Sequence, residues 1–485
     1  MLRLIAACLA LAGLSLLLPS EPAYDPWAWL VWGREIAHFE LDTSGGPSWK
    51  PLPVALLALV TPLGDDLSVA VWVVLARAGA LLATALAFRL AARLAGGSRG
   101  RRALAGGVAA AALVLTPDWF QFAAHASEAP LAVALMLWSV ERHLDGRRQQ
   151  AVALGALVCL MRPELFPFLA LYGVWLWRAE PERRPLLGVL AVTIQLAWVV
   201  PEWIGSGNPL DGGSQARSEP AWSLSHADQP WLRAALRVHN HLGVAVEALA
   251  AVAVVAAFAR RQRAVQLLAA SAAVEGALYL AMTQAGFSGN PRYVLPALAI
   301  GCVLAGIGAA RVLEAGAALA TGRASRLAAA ALALACIGLI AIPFALGRAE
   351  RVRREAREVG RRMELQRDLA RAVEAAGGPE ALRTLGSATT NRALHSRLAW
   401  EIGRPIQDVE RGYGHRLVFR TRRERLAGAV VVWGTPRERR ILTRVGTFRV
   451  IRRAHLSYRL FTSRLQGFHI PAASGRNRET RVVTR

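Results

Sequence analysis

Lysine is almost missing from this sequence. All but one of its 58 basic residues are arginine, the exception being Lys50. A lone ammonium among guanidiniums is a compact point charge where every other cation is a planar fork; the alternative is that a GC-rich coding bias left one lysine codon with no meaning. Cysteine is scarce and unpatterned: Cys8, Cys159, Cys302 and Cys336 all lie inside apolar runs. Neither a disulfide framework nor a zinc site is indicated by that placement. Carboxylates are scattered rather than clustered, so no metal or other cofactor is indicated, although a divalent ion stays open.

What is abundant is apolar length. The 485 residues are 54% hydrophobic, and the apolar residues fall in repeated runs separated by short arginine-bearing loops, the pattern of a polytopic membrane protein. After a first run at Leu4–Leu18, spans are expected near Leu67–Leu90, Ala103–Thr116, Ala129–Val140, Ala151–Met161, Leu165–Trp177, Leu186–Val200, Leu242–Phe258, Ala264–Met282, Tyr293–Val312 and Leu327–Leu346. That makes about eleven transmembrane helices. The first run could be a signal peptide, but it lacks a clear small-residue cleavage site and reads as a retained helix. Several spans are shorter than the ~20 residues of a straight crossing, notably the pair flanking Arg162-Pro163-Glu164. Half-length helices meeting at a charged break are tolerated where they line a cavity or pack on protein.

With a cytoplasmic N-terminus, five loops (93–102, 141–150, 178–185, 260–263 and 311–326) become cytoplasmic, and every one carries arginine. The opposite loops hold most of the loop tryptophans and acids, as the positive-inside rule requires. The sequence therefore divides into a membrane domain, residues 1–347, with a first exported loop at 20–53, and an exported basic segment, 348–485. That last segment has 32 arginines against 13 acidic residues, which places 19 of the 24 net positive charges there. Joined to a membrane domain, it suits membrane lipid headgroups or an acidic envelope polymer rather than nucleic acid. An arginine-rich helix (Arg348–Ala375), a Gly377-Gly378-Pro379 turn and β-like runs at Ala429–Trp433 and Thr447–Ile451 suggest a small α/β domain. A disordered tail is expected from Ser474.

Four polar constellations fall on the exported side. In the first loop, Asp25-Pro26 reads as an N-cap with proline at N1, opening a short helix whose Trp27, Trp29 and Trp32 favour the headgroup layer. Glu35, Glu40, Asp42 and Lys50 follow it. The others are His125-Ala126-Ser127-Glu128 before the fourth span, Arg162-Pro163-Glu164, and Gly289-Asn290-Pro291-Arg292-Tyr293 at the head of the tenth. Charges held at membrane depth are costly and therefore functional candidates. Each also has a bland reading: Asp25 and Glu128 as caps, Arg162 with Glu164 as a structural ion pair, Arg292 as a snorkelling residue.

An aspartate close after the first helix, a glutamate before the fourth span, an Arg-Pro-Glu break, a Pro-Arg-Tyr motif opening a late helix and an exported C-terminal domain together resemble the GT-C integral-membrane glycosyltransferases. The nearest relatives would be actinobacterial mannosyl- and arabinosyltransferase-like members, protein O-mannosyltransferases and lipid A aminoarabinose transferases. The resemblance covers the layout of residues 1–347. It implies transfer of a sugar from a polyprenyl-phosphate donor to an envelope glycan, lipid or protein on the outer side of the cell membrane, with an acidic residue of the first exported loop, here Asp25, as base. Such chemistry needs a carboxylate to deprotonate the acceptor and cations to hold the departing phosphate. Asp25, Glu128 and Asp42 are the candidate carboxylates. Lys50, Arg162 and Arg292 are the candidate phosphate cations, with Glu164, Tyr293 and His125 as further substrate contacts. A transporter or flippase of a lipid-linked sugar, or an inactive envelope-assembly homologue, is the alternative.

Overall fold

The computed structural model describes residues 1–18, 20–217, 223–318, 323–384, 388–390 and 392–410, followed by five strands between 417 and 462. Ser474 and the tail after it lie outside the described residues. The chain opens with α1 (Leu2–Leu14), then α2 (Tyr24–Ala37) and α3 (Pro51–Val60). Long apolar helices follow: α4 (Asp65–Ala95) and α5 (Arg99–Val114), a one-turn α6 (Trp119–Ala124), α7 (Ala129–Leu144), α8 (Arg148–Cys159), α9 (Phe166–Ala179) and α10 (Arg184–Ser206). A short α11 (Asp211–Gln215) precedes α12 (Pro230–Leu242), α13 (Val244–Ala259), α14 (Arg263–Gln284) and α15 (Leu295–Ala318).

Each expected apolar run coincides with a helix. By length and composition, however, four of the described helices can cross a membrane unaided (α4, α10 with the turn before it, α14 and α15), or up to five if α12 and α13 count as one bent span. That pair turns by 89° at Gly243, whose φ of +76° suits glycine.

The axis of the bundle is α15, buried from Leu295 to Arg311. Helices lacking a hydrophobic drive between them associate through small residues that let backbones approach, and α15 does this twice. A Cβ on Gly306 would lie 2.2 Å from the Ala105 carbonyl of α5, and one on Gly308 would lie 1.8 Å from the Leu249 carbonyl of α13. Any side chain at either position would push the bundle apart.

Beyond α15 the expected span and the expected arginine-rich helix are one element, α16 (Arg323–Ala375), 53 residues long with Pro343 inside it. At ~1.5 Å per residue it is about 80 Å long. The Gly377-Gly378 turn leads to α17 (Gly378–Thr384), β1 (Ala388–Thr389), α18 (His395–Ile402) and α19 (Ile406–Glu410). Five strands follow: β2 (Leu417–Thr421), β3 (Ala429–Trp433), β4 (Arg439–Val445), β5 (Phe448–Arg453) and β6 (Tyr458–Thr462). One sheet has the order β1-β2-β5-β4, with β1 parallel to β2 and the rest antiparallel; β3 and β6 pair separately.

The tryptophan helix departs from the sequence reading in what its rings touch. Trp27, Trp29 and Trp32 of α2 are 1%, 0% and 0% exposed, so they pack on protein rather than on lipid headgroups. The helix sits in a second core made with Leu369, Val373, Leu398 and Trp400 of α16 and α18. Trp27 Nε1 donates to Gln366 Oε1 across 2.7 Å. Asp25 is not the N-cap either: the cap is Ala23, and Asp25 belongs to the first helical turn.

Candidate active site

Four separate breaks in helical structure meet at one place. The first turn of α2 presents Asp25. Lys50 is the residue before α3, and its position is fixed by Leu52 N donating to Leu160 O at 3.1 Å, which ties the start of α3 to the end of α8. Arg162 lies in the break between α8 and a 3₁₀ turn, Pro163–Leu165. Arg292 and Tyr293 belong to a second 3₁₀ turn, Pro291–Tyr293, capped by the Asn290 side chain accepting from Arg292 N at 3.1 Å.

These breaks are joined by charge. The Arg292 guanidinium pairs with the Asp25 carboxylate. Arg162 pairs with Glu128 at 3.2 Å and with Glu164, and donates to the Arg292 carbonyl. The Tyr293 ring lies 5.0 Å from the Arg162 guanidinium and 5.6 Å from that of Arg292, within cation–π range of both. Glu128 is 0% and Arg162 1% exposed. Burial works to raise the Glu128 carboxyl, but Arg292, Arg162 and Lys50 outweigh it and hold the group below the usual range.

Lys50 differs from the arginines. It is 4% exposed, and among the described residues its ammonium makes no ion pair; it rests 5.6 Å from the centre of the Trp198 ring. Burial, helped by Arg162, pulls it down to about 8, against the opposing pull of Glu164 and Glu128.

A strained turn delivers Glu128. Ala126, fully buried, has φ +56°, a left-handed conformation rare for a residue with a Cβ. Its carbonyl accepts from Trp72 Nε1 at 2.9 Å, and the Ser127 hydroxyl then donates to Glu128 Oε2 at 3.0 Å.

Asp25, Lys50, Glu128, Arg162, Glu164, Arg292 and Tyr293 are thus brought together, while two expected members stay outside. Asp42 accepts from Ser44 N at 2.9 Å and Ser44 Oγ at 2.6 Å, closing its own turn. His125 faces the segment before α2, its Nδ1 3.2 Å from the Glu21 carbonyl; burial lowers it to about 4, so it is neutral at physiological pH. Glu275 was missed. This 5% exposed carboxylate of α14 lies within the field of Arg162 and Glu164, and its Oε1 has no hydrogen-bond partner among the described residues. The available signal was a lone acid inside an apolar span.

Chemically, the site offers a carboxylate and a guanidinium at its rim, Asp25 and Arg292, with 17% and 19% side-chain exposure, beside the buried cations Lys50 and Arg162. The two arginines are engaged by carboxylates, and Lys50 makes no ion pair among the described residues.

No protein-family profile and no curated protein sequence matches the chain. Its fold does match solved structures. ArnT from Cupriavidus metallidurans bound to undecaprenyl phosphate superposes with a TM-score of 0.52 over 94% of this chain and 98% of that one, at 14% identity. The same protein in its apo state gives 0.51 over 93% and 97%, at 15% identity. ArnT is an aminoarabinose transferase of the GT-C type, and this polytopic membrane protein shares its fold over 94% of the chain, as the sequence resemblance implied.

Proposed function

We propose that this protein is a membrane glycosyltransferase that moves a sugar from a polyprenyl-phosphate donor to a cell-envelope acceptor on the extracytoplasmic side. One observation carries the reading: Lys50, Arg162 and Arg292, 242 residues apart at the extremes, converge beside the Asp25 carboxylate in a fold shared with a protein crystallised with undecaprenyl phosphate. In this reading the N-terminus is cytoplasmic, about eleven helices cross the membrane, and residues 348–485 form an exported α/β domain over the site.

The acceptor hydroxyl oxygen attacks the anomeric carbon while the bond from that carbon to the phosphate oxygen breaks, its electron pair leaving with the phosphate. Asp25 takes the hydroxyl proton. Arg292 holds Asp25 in place before substrate arrives and meets the departing phosphate with Lys50. Arg162 fixes the Arg292 carbonyl and the Glu128 and Glu164 carboxylates, so it organises the site from beneath. Tyr293 packs between the two guanidiniums. The sugar and the acceptor stay open, with hexosyl and pentosyl donors both fitting the carrier chemistry.

The test is release of polyprenyl phosphate from polyprenyl-phospho-hexose and -pentose donors by the purified full-length chain in nanodiscs supplied with envelope lipid and glycan acceptors. Turnover with one donor supports the reading. Absence of turnover with every donor, together with transport of the same lipids across a sealed bilayer, would replace it with a flippase.

A further inference from the structure

Four prolines of the helices around the site each leave one backbone carbonyl, four residues upstream, without a helical donor. Pro130 is the second residue of α7, Pro163 opens the 3₁₀ turn after α8, Pro201 lies inside α10 and Pro296 is the second residue of α15. A proline has no N–H to give, so the carbonyls of Ala126, Cys159, Ala197 and Arg292 need partners from elsewhere. In a membrane domain such carbonyls are tolerated only when neighbouring groups satisfy them.

All four are taken by side chains. Trp72 Nε1 donates to Ala126 O at 2.9 Å, Trp198 Nε1 to Cys159 O at 3.1 Å, Trp49 Nε1 to Ala197 O at 3.1 Å, and the Arg162 guanidinium to Arg292 O. A buried indole N–H needs an acceptor, and each of these three meets one that its own helix cannot use.

Three of the bonds run in series. Trp49, the residue before Lys50, holds α10 at Ala197. The next residue of α10, Trp198, holds the end of α8 at Cys159. Three residues on, Arg162 holds the turn that carries Arg292. The series therefore passes through every cation assigned to the phosphate. It also accounts for where the Lys50 ammonium rests. Trp49 is 2% exposed and its ring is braced by Trp32, 5.6 Å between centroids, so its bond fixes the backbone beside Lys50. The Cys159 bond fixes the Trp198 ring, whose centre lies 5.6 Å from the ammonium.

We propose that Trp49 is a positioning residue: its indole, bound to the carbonyl that Pro201 leaves open, sets the Lys50 ammonium against Trp198 for the carrier phosphate. The use of Lys50 rests on the donor class proposed above, whereas its placement does not.

The experiment compares the full-length parent with Trp49→Phe and with Trp49→Phe/Pro201→Ala. Phenylalanine keeps a ring and removes the donor, while Pro201→Ala returns an N–H to position 201, so that the helix itself satisfies Ala197. Lys50 is the only lysine, so protein carrying ¹³C-lysine reports it alone by NMR. In the parent its ε-methylene signal is expected to be displaced from that of free lysine by the Trp198 ring. Trp49→Phe is expected to lower the melting temperature, to move the signal toward the free position and to weaken undecaprenyl phosphate about tenfold, the lower end of what a lost charge-assisted contact costs. In the double variant the melting temperature should recover while signal and affinity stay changed, and if Trp49→Phe alone does not fold, this variant carries the test. Recovery of all three would make Trp49 only a donor to α10 and overturn the proposal. So would an undisplaced parent signal, a parent-like signal in both variants, or a moved signal with phosphate affinity unchanged. If the parent binds no undecaprenyl phosphate the donor class fails, and the Lys50 signal still decides the placement.

Discussion

The two ends of α7 carry the same residue types and use them differently. At its C-terminal end Glu141 pairs with Arg89 and Arg142, and Asp145 with Arg93 and Arg142; nearby, Glu314 of α15 gathers Arg101, Arg260 and Arg311. Several of these arginines are solvated, Arg89 at 46% and Arg260 at 43% side-chain exposure. Each carboxylate is shared by two or three guanidiniums, which suits a clasp joining helix ends. At the N-terminal end Glu128 and Arg162 are sealed, and Lys50 beside them has no ionic partner among the described residues. Solvated pairs cost little to form and contribute little. A sealed group costs several kcal/mol per ion to desolvate, so its retention argues for use rather than stability.

The comparison breaks most completely if the ends face the wrong way. Gly213, exposed with open space around it, and Arg147, exposed just beyond α7, take cysteine without strain. Gly45 and Gly378 do not, because a Cβ on Gly45 meets Gln407 N at 2.7 Å and Gly378 has φ +77°. In intact cells, Gly213→Cys is expected to react fully with an impermeant thiol reagent and Arg147→Cys not at all; the reverse pattern inverts the assignment. Next in size is Asp25→Asn, which keeps the shape of the first turn of α2 and removes the charge. Transfer is expected to fall by a factor on the order of 10² to 10⁴, with thermal stability lowered only by the loss of the partly exposed Arg292 ion pair and the fold retained, as measured by donor turnover and by melting. Full turnover would make Asp25 only the partner of Arg292.

How much of this was legible follows from where the information lay. Helix positions and the Asp25, Glu128, Arg162 and Arg292 constellation came from local signals: apolar runs, charged breaks and a Pro-Arg-Tyr turn. The burial of α2 did not, because a helix rich in tryptophan on several faces reads alike at a headgroup layer or inside a core. What covers it, Gln366 on Trp27 and Trp400 beside it, comes more than 330 residues later. The Asp25 reading as a cap failed for a related reason: Ala23 N is bound to the His125 carbonyl at 3.0 Å, a long-range contact that moves the helix start upstream. His125 and Asp42 were chosen for their residue type, yet direction decided their roles, and direction is absent from spacing. Glu275 was visible as a lone acid but stood too far from every motif to be joined to them.

Stability separates the two ends of α7 on a smaller scale. Arg162→Ala takes from the buried Glu128 and Glu164 their ion pair with Arg162, leaving Glu128 only the field of Arg292 and Lys50, and breaking a buried pair from one side costs about 3–5 kcal/mol. Arg89→Ala leaves Glu141 paired with Arg142 and is expected to cost less than about 1 kcal/mol. Denaturant or thermal unfolding in the same detergent measures both, and equal losses would show that the two networks are equivalent clasps.

The smallest effect is the most specific, and it turns on Lys50. Burial lowers its ammonium to about 8, so in the free protein the positive charge is present below that pH and is lost as pH rises through it. A bound phosphate favours the charged form, which raises the group again in the complex. Undecaprenyl phosphate affinity is therefore expected to hold steady to about pH 7.5 and then to fall by up to tenfold per pH unit, the slope of one proton taken up on binding. The phosphate monoester, whose second ionisation lies near 6, is already dianionic and adds no slope of its own there. Lys50→Ala removes a charge-assisted contact worth roughly 1.5–3 kcal/mol and should bind about ten- to a hundredfold more weakly. Lys50→Arg should recover part of that affinity, because a planar fork does not occupy the space of a compact ammonium, and its affinity should stay level to pH 9.5 because a guanidinium does not titrate there. A slope above pH 8 that survives Lys50→Arg would assign the titration to another group and remove Lys50 from the phosphate.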